Sequence, residues 1–258
     1  MKYRLLAPLV GIIAFLGAWQ LLVRVGDVRP SVLRAPSDIL AHLWHHPRVF
    51  AEASWVTVQH AYIGMLFGLV AALLLAAPMA ASRFVESAIH PILTLVQVTP
   101  FVAYITSVVL WLGWGTRPAV FIVSLVCLPA FAFAAVDGMR GADPAARELL
   151  ASVDASRWEV LWRLRLPSAM PSLFTAARYN IGLSLIAAYL VEGGNYANEG
   201  LGAIGKKALG FASSLEAPNA LWSAILCMAL LGTVSLLVIA LLQKALMRWH
   251  VSQRAQLR

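Results

Sequence analysis

The chain has 258 residues, of which 60% are hydrophobic and only 12% charged, against roughly a quarter charged in soluble domains. That balance excludes an ordinary soluble enzyme and points to a membrane protein. The net charge of +8 is scattered between apolar runs, which argues against a nucleic-acid partner; Cys127 and Cys227 both lie inside apolar runs, so neither a disulfide framework nor a cysteine metal site is expected.

A bilayer helix takes about 20 apolar residues. The first such run, Leu5 to Val23, follows Lys2 and Arg4. It is longer than a signal-peptide core and no A-x-A site closes it, so it is expected to span rather than be cleaved. Gly26 to Ser54 is a polar connection in which Pro36-Ser37-Asp38 can open a short surface helix through Leu40, Leu43 and Trp44. His42, His45 and His46 lie in it, but no carboxylate or cysteine stands at a ligand spacing, so no metal is expected. The second run, Val56 to Ala81, contains Gly64-x-x-x-Gly68, a pattern that lets a neighbouring helix approach closely. Arg83 and Glu86 mark a polar turn.

The third run, Ile89 to Leu112, holds Pro91 and Pro100 with Gln97 and Thr99 between them. Proline inside a span is tolerated where neighbours or a cavity satisfy the freed backbone, so a pathway-lining helix and a packing kink both fit. Leu110-Trp111-Leu112-Gly113-Trp114-Gly115 reads as a tight interfacial turn before the fourth run, Pro118 to Val136.

Asp143 to Pro171 is a polar island between apolar runs. Asp143-Pro144 is a helix-start signal, and a short helix can follow through Leu149 and Leu150. The pattern breaks near Val153-Asp154. Ser156 then stands three residues before Glu159, the spacing of a capping box that restarts a helix. Trp158, Leu161 and Leu164 share one face of it, and Leu166-Pro167 is expected to end it. An ordinary solvated basic loop fits the same residues.

These residues resemble the cytoplasmic loop of ABC importer permeases, the binding-protein-dependent inner-membrane family, in its nitrate, sulfonate and taurine branch. The family pattern, E-A-A-x-x-x-G followed by a spacer and L-P, lays Glu148 on the acidic position, Asp154 on the glycine and Leu166-Pro167 on the closing pair. Ala155-Ser156-Arg157-Trp158 matches the run common after that glycine, while Leu149-Leu150 replaces the alanine pair. Asp is one of the few residues besides glycine that tolerates a left-handed turn, so the bend survives the replacement. The turn at 110–115 resembles the family's L-W-F-G-x-G, and Arg178, entering the fifth run, Leu173 to Val191, matches the arginine usual there. After Glu192 comes a Gly-rich outer loop, Gly193 to Pro218, and the sixth run is Leu221 to Leu246.

With the N-terminus inside, 13 of the 20 lysines and arginines face the cytoplasm, Lys2, Arg4, Arg248, Arg254 and Arg258 among them. The positive-inside rule therefore favours six spans with both termini and the loop at residues 137–171, which holds the island, cytoplasmic. Gly200 to Lys207 nearly spells a phosphate loop, but Lys207 stands where a hydroxyl is needed and no strand precedes it. The segment instead resembles the family's G-L-G stretch, which closes the outer end of the pathway. No nucleophile triad or metalloprotease motif occurs.

The expected fold is thus an all-α integral membrane domain of six transmembrane helices, with a two-helix coupling loop between spans 4 and 5. The resemblance implies a non-enzymatic subunit of the bacterial inner membrane. Its partners would be a cytoplasmic ABC ATPase dimer that binds the ATP and Mg, a periplasmic or lipid-anchored solute-binding protein, and a second copy of this chain. No cofactor is implied for this chain, and lipid surrounds it. Glu148, Asp154, Ala155, Ser156, Arg157, Trp158, Leu161 and Pro167 would dock the ATPase; the face of Trp158, Leu161 and Leu164 could equally pack on the chain's own spans. Replacing Glu148, or placing proline at Arg157, is expected to uncouple ATP hydrolysis from uptake. Gln97, Thr99, Thr106, Arg178, Asn180, Tyr189 and Glu192 are candidates for the pathway, and each could instead bond one helix to another. The solute is a small one, such as a sulfonate, nitrate or taurine. A transporter or channel driven by an ion gradient is the alternative; it predicts internal repeats, and none is found.

Overall fold

The computed structural model describes residues 3–29, 32–194, 199–210 and 216–247; Lys2, Arg248, Arg254 and Arg258 lie outside them. The described residues are helical, with no strand among them. In order they form α1 (Tyr3–Val25), α2 (Pro36–His45), α3 (Pro47–Ala81), α4 (Arg83–Val98), α5 (Ile105–Leu112), α6 (Thr116–Arg140), α7 (Pro144–Ser152), α8 (Arg157–Val160), α9 (Leu166–Gly194), α10 (Gly200–Gly210) and α11 (Ala217–Leu246). Five helical runs are long and apolar enough to cross a membrane, and the bent pair α4 and α5 supplies a sixth crossing if taken as one span.

α3, α6 and α9 form the centre. Their small and medium side chains, among them Ala72, Ala76, Met79, Val123, Cys127, Phe131, Ala135, Leu185 and Ala188, make one continuous buried cluster. Gly64 identifies its own partner: a Cβ there would stand 2.5 Å from the Val123 Cβ and 2.9 Å from the Val120 carbonyl oxygen. The Gly64-x-x-x-Gly68 stretch is thus the bed in which α6 lies. α1, by contrast, leaves nearly all its apolar surface exposed, and so does much of α11. In a chain this apolar those faces suit lipid or another membrane helix rather than water.

Several expectations need correction. The third run is not one straight helix: it bends by 85° between α4 and α5. Thr99 is extended because Pro100 follows it, and a short 3₁₀ turn, Phe101–Tyr104, joins the halves. Arg83 and Glu86 do not form a turn but begin α4, capped by the Ser82 hydroxyl. The helix of the second run, α3, starts at Pro47, inside the stretch read as a polar connection. The Gly-rich outer loop contains α10, which is helical despite its glycines because they fit closely against α9.

Leu166-Pro167 does not end the island's second helix. A π-helical turn, Leu161–Arg165, carries the chain into α9, with the Leu166 N–H bonded to the Leu161 carbonyl five residues back. The wider turn makes room for a proline ring and needs no N–H from it. One helical run therefore extends from Arg157 to Gly194.

Candidate coupling and gating sites

The island is built much as its residues dictate. The Asp143 carboxylate accepts from the Ala145 N–H at 3.0 Å, with Pro144 in the first turn of α7. Asp154 has φ +51°, the left-handed geometry for which aspartate was an acceptable substitute. The capping box is complete: the Glu159 N–H donates to the Ser156 hydroxyl at 3.2 Å, and the Ser156 N–H donates to the Glu159 carboxylate at 2.9 Å. These bonds, and Arg163 beyond them, hold the Glu159 carboxyl below its ordinary value.

The face of Trp158, Leu161 and Leu164 is divided. Leu161 packs on the central cluster, whereas Trp158 is 65% exposed and stacks edge-on with the exposed Trp162 at 5.5 Å. Glu148, Asp154, Ser156 and Arg157 are exposed too, Ala155 and Pro167 half-buried. Just before the island, Arg140 at the end of α6 ties that helix to α4 and α3, bonding the Glu86 carboxylate at 2.6 Å and the Met79 carbonyl at 2.8 Å. A cavity of about 350 Å³ beside it is lined by Arg83, Arg140, Arg147 and Arg165.

The opposite end of the bundle holds a buried polar knot centred on Glu192, itself 3% exposed. One carboxylate oxygen accepts from the Thr57 hydroxyl at 2.8 Å and the Gly202 N–H at 3.0 Å. The other lies 2.9 Å from His60 Nδ1, and His60 Nε2 is 3.3 Å from the Thr116 hydroxyl. The Thr57 oxygen also accepts from the Leu201 N–H at 2.9 Å. Three helices, α3, α9 and α10, thus meet at one carboxylate, and His60 links α6 to it through Thr116. A buried polar group without partners would be costly here; this one has partners on both oxygens. Gly202 permits the approach, since a Cβ would collide with the Tyr189 carbonyl oxygen and the Glu192 side chain. Tyr189 covers the neighbouring Gly205.

The remaining pathway candidates fall in different places. Gln97 and Thr99 lie at the break after α4, where they line a cavity of about 150 Å³ with Tyr104, Tyr179 and Leu183. Asn180 is fully buried and donates to the Cys127 carbonyl at 3.2 Å, a bond between α9 and α6. Arg178 is exposed and bonds Gln243 of α11 at 2.5 Å. Thr106 lies on the exposed side of α5. Sequence reasoning missed Thr57 and His60. The signal was a threonine and a histidine three residues apart in an otherwise apolar run, one helical face with two polar groups to satisfy.

Comparison with known proteins adds to this geometry. Residues 64–248 match the family described as the binding-protein-dependent transport system inner membrane component. The chain is 25% identical over 253 residues to the formylaminopyrimidine transport permease protein of Halalkalibacterium halodurans, covering 98% of this chain and 99% of that one. It is 27% identical over 245 residues to the taurine transport system permease protein of Escherichia coli, covering 91% and 86%. Its fold is similar to a chain in the crystal structure of a bacterial ABC transporter involved in alginate import, with a TM-score of 0.64, 16% identity and coverage of 95% and 97%.

Proposed function

The chain belongs to the binding-protein-dependent transport system inner membrane component family, the membrane-spanning permeases of ABC importers, and from that premise we propose how it works. Two copies form the translocation unit. α7 and α8 seat in a separate cytoplasmic ATPase, which binds the ATP and Mg²⁺, and an external solute-binding protein delivers cargo at the opposite end. Both termini and the island face the cytoplasm, as the arginine distribution favours.

The observation that carries this reading is the continuous helical run from Arg157 to Gly194, 38 residues long. At about 1.5 Å per residue it reaches roughly 55 Å. It begins in the capped, Trp-bearing island and ends at the Glu192 knot. A push at one end therefore arrives at the other without crossing a loop. When the ATPase dimer closes, the run tilts with α3 and α6 as a packed unit, and the contacts of Glu192 with Thr57, His60 and Gly202 either hold or part. The knot is the outer latch.

The cargo is a small polar solute, a sulfonate, nitrate or taurine being of suitable size. Support comes from the broken third span: discontinuous helices at membrane depth are where transporters place their sites. The cavity at that break offers the Gln97 amide, the Thr99 hydroxyl and the Tyr104 hydroxyl, the last buried with no hydrogen-bond partner among the described residues. The test is uptake into proteoliposomes containing this permease, its ATPase and its binding protein. ATP-dependent uptake that persists when the proton gradient is collapsed is the expected result. Uptake that survives ATP depletion and stops with the gradient would instead identify a secondary transporter.

A further inference from the structure

The histidine-rich stretch of α2 acquires in three dimensions the carboxylate that it lacks in sequence. Glu216, which precedes α11, lies beside His42 and His46, and one ligand atom from each of the three falls within 4.8 Å of the other two. We propose that His42, His46 and Glu216 form a binding site for a late first-row divalent cation of the zinc class, on the face of the bundle opposite the island.

The donor set selects the ion. Two imidazole nitrogens and one carboxylate oxygen suit Zn²⁺ and its neighbours, whereas Mg²⁺ and Ca²⁺ need more oxygen ligands. One of the three separations already fits. His42 Nδ1 and a Glu216 carboxylate oxygen are 3.4 Å apart. That is longer than a good charge-assisted hydrogen bond, roughly 2.8 Å. It is close to the edge of a tetrahedron with bonds of about 2.0–2.1 Å, roughly 3.3 Å.

His42 is fixed in place: its side chain is only 11% exposed, and its ring packs edge-on against Phe50 at 5.7 Å and beside His46 at 4.8 Å. The Glu216 side chain is 76% exposed and free to swing the remaining distance. Three protein ligands leave the fourth position to water. An ion held here would staple the surface helix α2 to the start of α11, two elements also joined by a hydrogen bond from the Ser223 hydroxyl to the Ile39 carbonyl.

The experiment is equilibrium dialysis of the full-length permease, purified in detergent without a histidine tag, against Zn²⁺, with bound metal counted by mass spectrometry. The wild type is expected to hold one zinc per chain. The H42A/H46A double variant and E216Q should each bind at least about tenfold more weakly, with H45A unchanged. Zinc should also raise the unfolding temperature of the wild type and of H45A but not of H42A/H46A, a readout independent of stoichiometry. Unaltered zinc binding in H42A/H46A or E216Q, or a wild type that retains no zinc, overturns the proposal.

Discussion

Glu192 is the residue on which most of the buried polar chemistry depends. Removing its carboxylate leaves His60 Nδ1 and the Gly202 N–H without their partner in an apolar interior, and leaves the Thr57 hydroxyl only the Ala53 carbonyl one turn back. Glu192→Ala is therefore expected to cost about 3 kcal/mol, as leaving buried polar groups unsatisfied does, and to lower the detergent-state unfolding temperature. Glu192→Gln, which keeps the size and one acceptor oxygen, should lose clearly less. Equal melting of wild type and Glu192→Ala would remove the latch from the account. Gly202→Val should be as damaging by a different route, because the obstruction at the Tyr189 carbonyl is backbone and cannot rotate away. Glu192 and Tyr189 were legible as polar groups ending an apolar run. The roles of Thr57 and His60 depend on a carboxylate more than 130 positions later, and no local pattern encodes that meeting.

At the scale of elements, the local signals in the island fared well because they are local chemistry. Helix starts at Asp143-Pro144 and Ser156, and a left-handed residue at 154, follow from hydrogen bonds and sterics within four residues. The stops fared worse. Leu166-Pro167 was expected to end a helix, but a π turn absorbs the proline, and α9's packing on α6 holds the run together. The same limit hid α10, where tertiary fit outweighs the poor helix propensity of glycine.

These elements give separable predictions. Ser156→Ala should cost about 1 kcal/mol of local stability, read as faster amide exchange at Ser156 to Val160. Asp154→Gly should be tolerated, whereas Asp154→Val should disrupt the turn, a β-branched residue being strained at φ +51°. Because the folded Glu159 carboxyl sits below its ordinary value, its contribution is present above the unfolded pKa and is lost as the pH falls through the lowered folded one. Exchange at the Ser156 amide should accelerate only when the pH drops below the normal carboxylate range. Proline at Arg157 no longer serves as a helix breaker. Arg157 is the first residue of α8, where proline is well accommodated. Val160, whose N–H donates to the Ser156 carbonyl at 3.0 Å, is the better site.

For the whole molecule, composition and the spacing of apolar runs were enough to read an all-helical membrane protein, because twenty-residue apolar stretches have few other uses. What they could not give was the bend between α4 and α5, which decides where a cavity opens. Orientation is testable directly. Both native cysteines are shielded, Cys127 fully and Cys227 in part, so Trp158→Cys offers a single well-exposed thiol. A membrane-impermeant maleimide should label it in inside-out vesicles and not in intact spheroplasts; labelling of spheroplasts would place the island on the wrong face for any cytoplasmic ATPase.

The central claim is that the run from Arg157 to Gly194 carries ATPase closure to the outer latch. Its most direct test is the ratio of solute taken up to ATP hydrolysed in proteoliposomes, compared for wild type, Glu148→Gln and Val160→Pro. The variants are expected to insert into the membrane and permit hydrolysis, while uptake per ATP falls at least about tenfold, equivalent to about 1.4 kcal/mol of lost coupling. Uptake per ATP unchanged from wild type in Val160→Pro would contradict the account.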